Sequence, residues 1–222
     1  MSKRKLVIFG HGDIAQLAHY YFSTDTDFEI VAFTVDSEYV DRTTVCDLPL
    51  VPFDRITETY PAEYFQLFIA LSYSRLNIIR KEKYERAKSL GYTLASYISS
   101  RATVLNDQRI GDNCFILENN TIQPFVTIGN NVTLWSGSII CHHSTINDHV
   151  FIASHVAVSG HCNIGEQCFI GVNATIRDNI SIGDHCIIGA GSLILSDADA
   201  EGLYRGAETG RADRSSLTQK RI

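Results

Sequence analysis

The sequence predicts two architectures in one chain: a small parallel α/β sheet over residues 1–98, then a parallel β-helix of six-residue repeats over residues 99–195. Three observations carry this reading. Strands alternate with helical stretches in the first part, the usual way of connecting a parallel sheet. From Val104 to Ile194 an aliphatic residue returns at every sixth position, sixteen times without a slip of register. The residue four places after each aliphatic is almost always small or apolar.

A period of six suits neither a helix, whose apolar face recurs at 3.6 residues, nor a simple strand, which alternates at two. It fits a coil that turns a corner every six residues and sends one aliphatic side chain inward from each flat side. With three sides per coil, residues 18 apart stack at the strand spacing of about 4.8 Å, and about five coils follow. The second inward slot contains Cys114, Asn120, Val126, Ser138, Ala174 and Cys186, as a narrow interior requires. Each buried aliphatic contributes roughly 1.5–3 kcal/mol on leaving water, so this stretch supplies much of the core.

The 222 residues are 45% hydrophobic and 20% charged, with a net charge of −6. That balance argues against general nucleic-acid or anionic-membrane binding, both of which select basic surfaces. The first thirteen residues have a basic beginning but only a short apolar run, which reads as a strand rather than a signal peptide. No apolar run approaches the roughly 18 residues needed to span a bilayer, so no membrane insertion is expected. Cys114, Cys162, Cys168 and Cys186 fall in the inward slot, and no Cys-x-x-Cys pair occurs. They read as small core residues in a reducing, cytoplasmic compartment.

In chain order, residues 5–9 read as a buried strand, 13–22 as a helix, 29–35 as a second strand, 48–52 as a short extended run and 66–71 as a further strand. Residues 75–90 have the charged amphipathic pattern of a helix stopped by Gly91. Residues 93–98 return to strand before the hexads begin. The segment 196–222 lacks periodicity; it reads as a cap over the open end of the solenoid or as a partly disordered tail.

Gly10-x-Gly12-x-x-Ala15 follows a strand and opens a helix, the setting of a phosphate-binding turn. Glycines let the backbone approach a phosphate, and the helix N-terminus offers free N–H donors; the same turn can also simply join strand to helix. Asp36 closes the second strand, 24 residues after Gly12, where a ribose-binding acid is expected. A segment of about 97 residues holds only half of a doubly wound sheet, so a mononucleotide or nucleotide-linked substrate fits better than a dinucleotide.

Of eight histidines, His143, His149, His155, His161 and His185 share one slot with Asn113, Asn119, Asn131, Gly137, Asn173, Asn179 and Gly191. Asn, Gly and His are enriched at left-handed backbone positions, so this slot reads as the corner of each coil and turn chemistry accounts for the five. His142 sits one place earlier, where no other histidine falls. One coil on is Gly160, which leaves space above the ring, and an imidazole at an outward corner can accept a proton near pH 7. A histidine zinc site is the competing chemistry. His143 and His161 stack one coil apart, but His149 and His155 lie on other sides. A single chain does not easily converge three of these, which leaves a site between subunits as the alternative, and no metal is expected.

The turn at residues 10–13, Asp36, the six-residue solenoid and the run Cys141, His142, His143, Ser144 together resemble bacterial nucleotide-sugar acyltransferases of the sialic-acid O-acetyltransferase type, over nearly the whole chain. The resemblance implies a Rossmann-like N-terminal domain, a left-handed β-helix and a homotrimer with sites between subunits. It also implies transfer of acetyl from acetyl-CoA, often to the amine of a nucleotide-linked 4-amino-dideoxy sugar in surface-glycan or lipopolysaccharide biosynthesis. Under it, Gly10, His11, Gly12 and Asp13 match the loop that holds the nucleotide and its phosphates. Asp36 matches the acid after the second strand, and Ala70, Leu71 and Ser72 the segment bordering the nucleotide. His142 matches the general base. Gly160, Gly171, Asn173, Ala174, Gly189 and Ala190 resemble the groove along which pantetheine lies.

The chain departs from that pattern in three places. His143 stands where the family often has an acid after its histidine, Ile98-Ser99-Ser100 replaces Ile-His-Pro, and Gly206-Ala207-Glu208-Thr209 replaces Gly-Asn-Pro-Ala. The combined expectation is an N-acetyltransferase. His142 accepts the proton of the attacking amine, a backbone N–H such as that of Gly160 stabilises the oxyanion, and transfer is direct. O-acetylation of a sugar hydroxyl and a non-catalytic nucleotide-sugar-binding trimer are the alternatives.

Overall fold

The computed structural model describes residues 4–107 and 109–208. The N-terminal part contains β1 (Arg4–Phe9), α1 (Asp13–Asp25), β2 (Phe28–Val35), β3 (Thr44–Val45), β4 (Leu48–Pro52), α2 (Ile56–Thr59), β5 (Gln66–Ile69) and α3 (Ile78–Ser89). Its strands lie in the order β3-β4-β2-β1-β5, parallel except for the β3–β4 pair. The central strands are nearly continuous apolar runs because both faces of the sheet are covered. Leu6, Ile8 and Phe33 pack with Ala15, Ala18 and Phe22 of α1, while Val7, Phe9 and Leu67 pack with Ala87 of α3 and with Tyr92 and Leu94.

The rest is a left-handed parallel β-helix. Two-residue rungs such as Thr127–Ile128, Thr145–Ile146 and Asn163–Ile164 pair in parallel, each 18 residues from the next. They stack into three sheets of four, seven and six strands among the described residues. Every sixth-position aliphatic from Ile116 to Ile188 is at most 2% exposed, and Cys114, Cys162, Cys168 and Cys186 are buried beside them. The corner slot is left-handed throughout: His143, His149, His155, His161 and His185 have φ between 57° and 63°. Phe125 and Gln167 take the same conformation, although neither residue type signals it.

The structure departs from the sequence pattern in three places. α3 begins at Ile78 because Arg75, Leu76 and Asn77 all have left-handed backbone (φ 51°, 52° and 64°). The buried Asn77 amide donates to the carbonyls of Gln167 and Cys168 on the solenoid, which pins that turn. The strand expected over 93–98 is split. Leu94 bridges to Leu67 of the first sheet, while Tyr97–Ile98 already pairs with Phe115–Ile116 of the solenoid. After Ile194 the chain is not structureless: Ala198 bridges to Ile182, and Leu203–Tyr204 adds a strand beside Ile187–Ile188. The expected tail from residue 209 onward, Thr209 included, lies outside the described residues.

The two parts meet on the seven-stranded face and the corner leading into it. Phe115 and Leu117 share one buried cluster with Phe22, Phe68 and Tyr97. Along the corner, the Asn113 amide bonds the backbone N–H of Ile69 and donates to Asn131, whose own amide donates to His149 Nδ1 at 2.8 Å. Arg80 of α3, only 1% exposed, donates to the carbonyls of Asn131, His149 and Val150, to the Thr133 hydroxyl and to Asn77 Oδ1. Burial pulls its proton affinity down to about 9, so the guanidinium stays charged at pH 7. Lys81–Glu166 and Lys88–Asp112 ion pairs extend this attachment to the surface.

Candidate active site

The carboxyl ends of β1 and β2 and the loop after β5 border a cleft of about 890 Å³. Open parallel sheets bind ligands at this edge. Gly10, His11, Gly12, Asp13, Asp36, Ala70, Leu71 and Ser72 all line it. Gly10 has a φ of 121°, and a Cβ there would lie 2.8 Å from the Ala70 carbonyl oxygen, so only glycine fits. Gly12 caps α1 without a side chain, which leaves the free N–H groups of the first turn uncovered.

Asp36 is held by Lys83 of α3, whose Nζ stands 2.7 Å from Oδ2. Sequence reading missed Lys83, because the run at residues 80–88 looks like a solvated helix face. It also missed Tyr73 and Trp135, which complete the cleft wall. Trp135 comes from the solenoid. The Tyr73 ring leans on Phe151 and Phe169 of the same face, with centroids 5.0 and 4.7 Å away. No local pattern marks these residues, since they meet the cleft only through the docking of the two parts.

His142 does not line the cleft. It stands exposed at another corner, between the rungs Ile139–Ile140 and Thr145–Ile146. Its backbone N–H donates to Gln123 Oε1 at 2.9 Å, and its ring covers Gly160, where a Cβ would approach Cε1 to 2.6 Å. His142 Nδ1 is 3.1 Å from His143 Nδ1. His143 is itself held in a ring stack, 4.7 Å from Phe125 on one side and 4.7 Å from His161, nearly parallel, on the other. Lost hydration, then the neighbouring His161 and His142 rings, lower the proton affinity of His143. In the tautomer in which His142 Nδ1–H donates to His143 Nδ1, the lone pair of His142 lies at Nε2. Among the described residues nothing hydrogen-bonds Nε2.

One chain converges three imidazoles, though only two of them come from the shared corner slot. His142, His143 and His161 each place a ring nitrogen within 4.8 Å of the others. Comparing only histidines of the same slot around the coil overlooked that His142, one place earlier, supplies the third.

Gly171, Asn173, Ala174, Gly189 and Ala190 gather at the corner between the seven- and six-stranded faces, which is also the corner after Trp135. A Cβ on Gly171 would lie 2.6 Å from the Ala190 N, so the coils approach closely there. The Ala174 side chain is buried in the core. Within a single chain, His142 and Gly160 are thus one side of the triangular coil away from these residues.

Residues 109–142, 125–160 and 161–196 match the bacterial transferase hexapeptide (six repeats) family. That match and the α/β domain ahead of it define the class of fold. Among solved structures, the chain is similar to the acetyltransferase domain of PglB from Neisseria gonorrhoeae FA1090, with 25% identity and a TM-score of 0.82 over 92% of this chain and 97% of that one. It is similar to the same domain in complex with acetyl coenzyme A, at 23% identity and TM-score 0.78 over 92% and 97% of the two chains. It also resembles in fold a variant of perosamine N-acetyltransferase from Caulobacter crescentus in complex with CoA and GDP-perosamine, at 22% identity and TM-score 0.80 over 91% and 93%. A search of curated proteins finds no match. No helix among the described residues is long and apolar enough to cross a membrane.

Proposed function

We propose that this protein is an acetyl-CoA-dependent N-acetyltransferase acting on the amino group of a nucleotide-linked sugar, of the sialic-acid O-acetyltransferase type in its overall design. The observation that carries the reading is the His142 imidazole seated on Gly160, its Nδ1 beside that of His143 and its Nε2 free. The nucleotide occupies the cleft, with phosphates at Gly10, His11, Gly12, Asp13 and the α1 N-terminus, ribose at Asp36, and Ala70, Leu71 and Ser72 alongside. As the amine nitrogen attacks the thioester carbonyl, His142 Nε2 takes its proton. The Gly160 N–H stabilises the oxyanion, and CoA thiolate leaves directly. His143 shares the charge that develops on His142. An uncharged partner strengthens the base less than a carboxylate does, which supports an amine acceptor over a hydroxyl.

The acetyl coenzyme A, CoA and GDP-perosamine named for the similar structures support both co-substrates. Pantetheine runs along Gly160, Gly171, Asn173, Ala174, Gly189 and Ala190. Since cleft and base lie at different corners of one chain, the working site is shared between copies, and a cytoplasmic homotrimer fits that need. The test is CoA-thiol release from acetyl-CoA against UDP-, GDP- and dTDP-linked 4-amino-dideoxy sugars, with His142→Asn as the control. Release with one nucleotide series, reduced about 10²–10⁴-fold in the variant, is expected. Near-full turnover by His142→Asn refutes the base assignment, and turnover only on hydroxyl acceptors replaces amine by hydroxyl.

A further inference from the structure

We propose that His142, His143 and His161 form a binding site for a divalent transition-metal ion, Zn²⁺ above all, and that the ion blocks the base instead of assisting it. The blocking role rests on the acetyl-transfer reading; the binding site stands on geometry alone.

Two ligand atoms on a tetrahedral zinc, each about 2.0–2.1 Å from the metal, stand roughly 3.3 Å apart. The Nδ1 atoms of His142 and His143 are 3.1 Å apart, so an ion fits where the two rings otherwise share a proton. His161 brings a third nitrogen within 4.8 Å, and its backbone is tied to the same place, N–H to the His142 carbonyl at 3.0 Å. All three rings are exposed, and rotation of an exposed ring takes only nanoseconds. The fourth position opens to solvent. Imidazole suits Zn²⁺, Ni²⁺ and Cu²⁺ alike.

Turn chemistry admits histidine at this corner but does not require it. The same left-handed slot is filled by asparagine at Asn113, Asn119, Asn131, Asn173 and Asn179, so neither His143 nor His161 is needed to turn the corner. The blocking effect follows from the chemistry of a neutral imidazole, which has one lone pair. When Nδ1 of His142 ligates a metal, the ring proton resides on Nε2, and that nitrogen can no longer accept a proton from the amine.

The experiment titrates Zn²⁺ into the untagged chain by calorimetry, with Co²⁺ absorption reporting coordination geometry. Wild type is compared with His161→Asn and His143→Asn, both keeping a corner-compatible residue, and with His185→Asn, a corner histidine outside the cluster. One ion per chain is expected, with a tetrahedral Co²⁺ spectrum. Each cluster variant is expected to bind about tenfold more weakly or worse, and His185→Asn as wild type. Absence of stoichiometric binding, or equal affinity in wild type and both cluster variants, overturns the site. In the transfer assay, Zn²⁺ inhibits and a chelator restores activity, with the half-inhibitory concentration raised about tenfold in His161→Asn. Stoichiometric binding with unaltered transfer overturns the blocking role. Absence of transfer in the metal-free chain overturns the acetyl-transfer reading and leaves the binding result standing.

Discussion

Acidification from pH 7 to pH 5 is expected to destabilise the fold, most of all through His149. The side chain is 5% exposed, its ring meets Tyr84 at 5.3 Å, and its Nδ1 accepts from the Asn131 amide. That amide cannot turn round, because Asn131 Oδ1 accepts from Asn113 at 2.7 Å. A protonated ring would therefore set donor against donor. Burial is the main cause that lowers the His149 pKa from 6.5 to about 4; Lys81 and Arg80 push the same way, against Asp148 and Glu166.

Between those two values the unfolded chain binds the proton and the folded chain does not, so stability rises with pH and is lost as pH falls. The full gap corresponds to roughly 3 kcal/mol, and about 2 kcal/mol of it is lost by pH 5. His149→Asn repeats the Asn113–Asn131 step of the same column and does not titrate. Denaturant unfolding at pH 7 and pH 5 separates the two: wild type is expected to lose about 2 kcal/mol more than the variant. Equal losses in wild type and variant would refute the reasoning.

Gly160→Ala places a methyl group 2.6 Å from His142 Cε1 and is expected to lower turnover about a hundredfold with circular dichroism unchanged. Arg80→Ala removes the buried donor to the Asn131 and His149 carbonyls and to Asn77 Oδ1 and is expected to cost about 3 kcal/mol or more in denaturant unfolding, because these buried acceptors lose that hydrogen bond.

The solenoid was legible because its constraint is local and repeated. One residue per side must be aliphatic, one small, one left-handed, and the 18-residue stacking then follows without knowledge of the rest. The cleft was legible at Gly10, Gly12 and Asp36, where strand ends and a helix start impose residue types by themselves. Arg80 and Lys83 were not. Both occur in a run that looks solvated, and only the docking of α3 against the corner at Asn131 and His149 buries the one and aims the other at Asp36. The left-handed turn at residues 75–77 escaped for the same reason: Asn77 is held by carbonyls some ninety residues away. The three-histidine cluster was half legible, as the stacking of His143 on His161 follows from the period, whereas the approach of the exposed His142 ring to His143 depends on side-chain rotation.

The backbone alone cannot distinguish the three corners of this coil, since every one turns through the same left-handed residue. Their side chains assign them different tasks. The column Asn113, Asn131, His149 and Gln167 is polar and buried, and it receives the α/β part. At the corner of Gly171 and Gly189 neither residue carries a side chain, and the coils approach closely. The corner of Phe125, His143 and His161 presents rings to solvent. A single solenoid therefore carries the cleft and the histidines on different edges, and a rigid stack of rungs cannot bend to join them. Under the proposed reaction, only a second copy set against the first can close that distance. A chain kept monomeric is accordingly expected to bind nucleotide sugar in its cleft yet turn over none, which equilibrium binding and CoA release on the same sample would decide.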